Sequence, residues 1–219
     1  MATLSENVQE AIRCLNSYRG ILDATIKDLY VPYGVHGVGA LRWENQYVDG
    51  NVYNDLENLT LPEYQKPGTA HIVYGAFREA KLTSVTIPKG WDVGDGAFES
   101  NAKLEEVYIY GRLDDSVEGV IREGAFADCA RGTTNQRLEK VVIGEDHYQI
   151  PSACFAGTNI NKLYILKKEI RIHDEAFTDS VQDVYYVGSQ SDWNDFVQVS
   201  LADNEGLQNA TFHYNYTPT

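Results

Sequence analysis

The chain has 219 residues, 43% of them apolar and 23% charged, with 32 acidic against 18 basic side chains and a formal net charge of -14. That composition supplies enough apolar side chains for a core and excludes compositional disorder. An acidic surface repels phosphate backbones and anionic lipid, so neither nucleic-acid binding nor membrane insertion is expected.

The opening stretch, MATLSENVQEAIRCLN, has no basic segment followed by an apolar run, and no secretory signal is read there. Ser5 and Glu6 ahead of apolar positions read as a helix start. Val8, Leu15, Leu22 and Leu29 recur at heptad spacing, with Leu4, Ala11, Tyr18 and Thr25 as a weaker second column. That outlines a coiled-coil seam. Gly20 interrupts it and leaves a helix–turn–helix open, since Gly in a helix interior costs about 1 kcal/mol against Ala. Two readings stand for residues 1–30. One is a helical oligomerisation or docking segment, for instance of a trimer; the other is a helix capping the first turn of its own repeats. The run VPYGVHGVG makes residues 31–54 read as a linker, and Gly37-x-Gly39 is too short for a phosphate loop.

Self-similarity begins after residue 55. LENLTL from Leu56, LTSVTI from Leu82, LEEVYI from Leu104, LEKVVI from Leu138 and INKLYI from Ile160 share the form apolar-x-x-apolar-x-apolar. VQDVYY from Val181 and LQNATF from Leu207 are weaker copies. The last three positions alternate as a half-buried strand does. Between the strands Phe77, Phe98, Phe126, Phe155 and Phe177 each follow Ala or Cys, and five positions earlier stands Ile72, Val93, Ile121, Ile150 or Ile172. One such turn cannot bury its own apolar face, whereas stacked turns can. The expected fold is a β-rich leucine-rich-repeat solenoid over residues 55–216. Residues 111–120 and 127–137 are its two longer turns, read either as tolerated loop extensions or as a binding edge.

The outward position of successive strands carries Thr60, Thr86, Tyr108, Val142, Tyr164, Tyr185 and Thr211. Such a column serves either as a contact surface for a protein or glycan, with Tyr108, Val142, Tyr164 and Tyr185 at its centre, or as a cross-strand ladder that only supports the sheet.

Little else in the sequence points to chemistry. The five histidines form no metal-binding spacing, and His173-Asp174 lacks a nucleophile to complete a triad. Cys14, Cys129 and Cys154 have no CxxC spacing and read as reduced, buried thiols. No catalytic residue, metal or cofactor is assigned, and stability is expected to be indifferent to chelator.

The segment GAFREAKLTSVTIPKGWDVGDGAF, together with AFADC, resembles the BspA-type leucine-rich repeat. The stretch VYYVGSQSDWNDFVQVSLADNEGLQNATFHYNY resembles the usual end of such arrays, with Trp193 and Phe196 covering the open core. That resemblance implies adhesion or protein interaction, not catalysis. Separately, SENVQEAIRCLNSYRGILDATIKDLYVPYG resembles the N-terminal helical segments of some tailed-phage virion proteins. Together they imply a virion-associated structural or attachment protein, a head or tail fibre component. Its partners would be other virion proteins, its own copies, or a host-surface glycan or protein. A bacterial BspA-type adhesion or interaction module, at the cell surface or in the cytoplasm, is the alternative. A glycan-acting enzyme on the same scaffold is the third reading.

Overall fold

The computed structural model describes residues 27–31, 33–34, 37–38, 55–64, 70–110, 121–130, 136–199 and 203–218. One design recurs through them: a core strand, a short second strand, and a tight turn that buries a Phe. The core strands are β5 (Ser84–Ile87), β7 (Glu106–Ile109), β8 (Leu138–Ile143), β10 (Ile160–Ile165), β12 (Val181–Tyr186) and β14 (Thr211–His213), joined in that order as one six-stranded sheet. Every pair in it is parallel. Parallel neighbours need a crossover, and short strands lie within most of them or ahead of the first core strand. These are β2 (Gly37–Val38), β4 (Ala70–Ile72) and β6 (Trp91–Val93) in one sheet, and β9 (Gln149–Ile150), β11 (Ile170–Ile172) and β13 (Val197–Val199) in another. A bridge from Val93 to Ile121 extends the first of them. The result is a β-rich repeat protein with few helices.

The alternation read from the sequence is the alternation of burial. Val85 and Ile87, Val107 and Ile109, Val141 and Ile143, and Leu163 and Ile165 are at most 1% exposed. Leu82, Leu104, Leu138 and Ile160, three positions before the first of each pair, are fully buried. The five Phe side chains are fully buried as well and form a spine, with successive ring centroids 5.1–5.5 Å apart and planes within 18°. Backbone bonds run along the same line. Phe77 N–H donates to Ala97 C=O, Phe98 to Ala125, Phe126 to Cys154 and Phe155 to Ala176, at 2.7–2.9 Å.

Each Phe turn bends through the left-handed region on both sides of the ring. Two residues before the Phe stand Gly75, Gly96, Gly124, Ala153 and Glu175, with φ of 53–63°. Two residues after it stand Glu79, Ser100, Asp128 and Gly157, with φ of 54–70°. The glycine of each Gly-Ala-Phe is therefore a backbone requirement rather than a packing one. A Cβ on Gly124 meets nothing closer than Ala127 Cβ at 3.9 Å. Gly124→Ala is thus expected to cost about 1 kcal/mol, the price of a left-handed non-glycine residue alone. Chemical denaturation measures it, and a neutral or stabilising change would contradict the strain.

Four expectations need correction. Leu29 is not a rung of a helical seam. It lies on β1 (Asp28–Tyr30), which pairs in parallel with β3 (Asn58–Thr60), Leu29 opposite Leu59. Leu29 and Val31 are buried while Asp28 and Tyr30 are exposed, so the segment obeys a period of two, that of a strand. Val8, Leu15 and Leu22 lie outside the described residues. Residues 31–54 are not simply a linker, because β2 pairs with β4, Val38 opposite Ile72. The last repeat is shifted by two residues: Val184 faces Phe212 and Tyr185 faces His213, not Thr211. A two-residue shift keeps every side chain on its own face, so alternation alone could not reveal it.

The C-terminal cap needs the fourth correction. Helix α1 (Gln190–Phe196) opens on a capping box, with Ser189 N–H donating to Asp192 Oδ2 at 2.7 Å and Asp192 N–H to Ser189 Oγ at 3.1 Å. It delivers Trp193 edge-on to Tyr186 and Phe212, centroids 5.2 and 4.8 Å away. Phe196, expected to share this task, is 45% exposed: it is the last residue of the helix and turns to the open groove beside β9, β11 and β13 instead. The rest of the cap is polar. Asn204, fully buried ahead of α2 (Glu205–Gln208), accepts from Phe177 N–H through Oδ1 and donates from Nδ2 to His173 C=O, both at 3.0 Å. A side chain thus supplies the rung that a further turn's carbonyl supplies elsewhere. Asn204→Ala strands both groups and is expected to lower stability by about 1–3 kcal/mol in a denaturant titration. An unchanged midpoint would remove Asn204 from the cap.

Candidate functional site

The outward column of the six-stranded sheet runs Thr86, Tyr108, Val142, Tyr164, Tyr185, His213, each in register with the next. The structure therefore brings together all four residues of the expected contact surface. It also adds two that were missed: His213, hidden by the shifted last repeat, and Tyr216, which carries no repeat signature. Neighbouring parallel strands are about 4.8 Å apart, which lets planar side chains stack. Tyr164 and Tyr185 stack at 4.7 Å and 12°, Tyr185 and His213 at 4.5 Å and 13°. Tyr216 leans on Tyr164 and Tyr185 at 5.2 and 5.5 Å with a steeply inclined ring. Val142 is the short member, and it is buried. Lys140, two residues earlier on the same face, lies across the gap with its Nζ 5.1 Å from the Tyr108 ring centroid and 5.4 Å from that of Tyr164.

The flanks are hydrogen-bonded. Tyr108 donates its hydroxyl to Glu106 Oε2 at 2.9 Å, and His213 Nε2 lies 2.7 Å from Asp183 Oδ1. Burial, reinforced by Glu106, pushes the Tyr108 phenol up to about 12. Burial, with Tyr185 beside it, also raises Tyr164. Both are neutral donors at physiological pH.

Nothing comparable gathers elsewhere among the described residues. No group of three or more His, Cys, Asp and Glu is placed to hold a metal ion. Cys129 and Cys154 are free and buried, and desolvation pushes the Cys129 thiol up to about 12 and Cys154 higher still. They pack as small apolar groups. His173 is half-buried beside exposed Asp174, and His71 meets its cross-strand neighbour Asp92 at 3.3 Å. Phe196 lines an open groove with Tyr148, Lys167, Glu169 and Arg171 beside the β9–β11–β13 sheet, where charges of both signs mix. No described helix is long and apolar enough to cross a membrane. Residues 111–120 and 131–135, within the two longer turns, lie outside the described residues.

Parallel strands in register, a Phe spine and a half-exposed sheet column define a leucine-rich-repeat type of protein. The chain belongs to the BspA type leucine rich repeat family, whose repeat region matches residues 49–182 in six copies. Among solved structures it is similar to a leucine rich cell surface protein from Faecalibacterium prausnitzii A2-165, at 19% identity and a TM-score of 0.31 over 80% of this chain and 63% of that one. A leucine-rich repeat protein from Bacteroides ovatus ATCC 8483 matches at 17% identity and a TM-score of 0.31, over 86% and 61%. This chain thus spans roughly three-fifths of the length of each. No curated protein matches the sequence.

Proposed function

We propose that the chain is a non-enzymatic protein-interaction module of the bacterial BspA type, wound as a single solenoid. It meets its partner through the sheet face bearing Tyr108, Val142, Tyr164 and Tyr185. The observation that carries this reading is the unbroken run of aromatic side chains from Tyr164 through His213, half-exposed on an otherwise polar face. Tyrosine supplies large contact area at low entropic cost, which is why it is enriched where proteins bind. The virion reading is set aside. Its resemblance lies in residues 5–34, of which 5–26 are outside the described residues, while Asp28–Tyr30 forms a strand paired with Asn58–Thr60.

The rival account of the column is a ladder that only stiffens the sheet. A double substitution, Tyr164→Thr with Tyr185→Thr, separates the two, because the column already carries Thr at Thr86 and Thr keeps strand propensity. Immobilised wild-type and variant chains are exposed to surface-protein extract from the encoding organism, and retained proteins are purified and titrated. An interaction face predicts a partner bound by wild type and weakened at least tenfold by the variant. Equal binding to both, with only a lowered melting temperature, would leave the ladder as the whole explanation.

A further inference from the structure

A second outward column runs beside the aromatic one, two residues earlier on each strand: Ser84, Glu106, Lys140, Lys162, Asp183, Thr211. Its charges read acidic, basic, basic, acidic. The outer two are engaged, Glu106 by the Tyr108 hydroxyl and Asp183 by His213. Lys140 and Lys162 are register partners on adjacent strands, and neither forms an ion pair with a described residue. In a chain with 32 acidic side chains and only 18 basic ones, two neighbouring unpaired ammonium groups are the unexpected feature. Lys140 is also held in place, over the rings of Tyr108 and Tyr164. A cation–π contact fixes the ammonium without consuming its three N–H donors.

The aromatic column restricts what these lysines can meet. Tyr185 has Tyr164 on one face and His213 on the other, and Lys140 approaches Tyr164. Ring faces are taken up inside the column, and Tyr216 packs against Tyr164 and Tyr185 from the side, so what the column can offer a ligand is its hydroxyls and the remaining edges. A sugar or a nucleobase docks on an aromatic face; a carboxylate docks on hydrogen-bond donors. A long polyanion is repelled by the net charge, and Glu106 and Asp183 bracket the lysines so that only a short anionic stretch fits between them.

We propose that Lys140 and Lys162, with the hydroxyls of Tyr164 and Tyr185, bind a side-chain carboxylate in an extended segment of a partner protein. This rests on the interaction-module reading and gives its partner a chemistry. Glu106 and Asp183 then set the register of that segment by excluding carboxylates on either side.

The test is a random peptide library selected on the full chain and on Lys140→Gln/Lys162→Gln, with Lys140→Arg/Lys162→Arg as the charge-retaining control. Melting temperatures are recorded for all three. The expected result is enrichment of Asp- or Glu-containing peptides by wild type, with affinities falling about tenfold in the Gln variant and with added salt, and largely retained in the Arg variant. Asp→Asn or Glu→Gln in a selected peptide should cause the same loss. Peptides that bind without a carboxylate, or equally well to the Gln variant, would overturn the carboxylate site and leave the interaction module standing. Binding of uronate-bearing oligosaccharides in place of peptides would overturn the choice of occupant. If no peptide is enriched and the Tyr164→Thr/Tyr185→Thr chain retains the same proteins as wild type, both readings fall.

Discussion

Phe126→Ala is expected to lower the free energy of unfolding by about 3–5 kcal/mol. Phe126 is the middle ring of the spine, with Phe98 at 5.1 Å on one face and Phe155 at 5.5 Å on the other. Truncation removes a fully buried ring and leaves a cavity between two rings that are themselves anchored. The backbone cannot close over it, because Phe126 N–H is bonded to Cys154 C=O in the next turn and Phe98 N–H to Ala125 C=O in the turn before. Interior packing does not tolerate such a void cheaply. Phe77 is the control: it stacks on Phe98 and stands at the end of the described spine, so Phe77→Ala should cost less. Denaturant titrations of both variants decide the matter, read with the slope, which should stay constant if the unfolded state is unchanged. A Phe126→Ala midpoint near that of wild type would mean that the spine does not hold the repeats together.

The spine was readable in advance because it obeys a period: one buried ring per turn, always after a small residue. The outward column was readable for the same reason, since strand alternation assigns each position to a face before any contact is known. What escaped is what breaks the period. Asn204 closes the array with a side chain in place of a repeat, so no self-similarity marks it. His213 sits in a strand whose register moved by two, a shift that preserves alternation. The left-handed residues flanking each Phe were half visible: Gly75, Gly96 and Gly124 announce them, whereas Ala153, Glu175 and Asp128 adopt the same backbone without announcing it. Leu29 shows the converse. Its heptad spacing suggested a helical position, whereas its own segment's alternation, Leu29 and Val31 inward, was the stronger physical signal for a strand. Lys140 and Lys162 were not singled out because a lone lysine on a strand is unremarkable. Only the register, which places the two side by side while the flanking Glu106 and Asp183 bond to Tyr108 and His213, gives them meaning.

Acid should weaken the fold through His147, by an amount on the order of 3 kcal/mol between neutral pH and about pH 4. His147 follows Ile143 by four residues, as Trp91 follows Ile87, and like Trp91 it is enclosed, at 2% exposure. Burial pushes its imidazole down to about 4 from an ordinary 6.5, and the charge of Lys167 acts in the same direction. The folded state therefore holds a neutral ring where the unfolded chain takes up a proton. Between those two pH values the unfolded state binds more protons, so stability falls as pH drops through 6.5 and levels off below about 4. Above 6.5 both states are neutral and the contribution is full. Carboxylates also titrate in acid, so the group must be isolated by difference. Asp192, for one, is held below its usual range chiefly by the Ser189 backbone N–H. His147→Leu fills a similar volume without a proton to gain. Unfolding free energies of wild type and variant, measured from pH 7.5 to pH 4, should diverge in the variant's favour as the pH falls. Parallel curves would show that the imidazole reaches solvent or a partner that stabilises its cation.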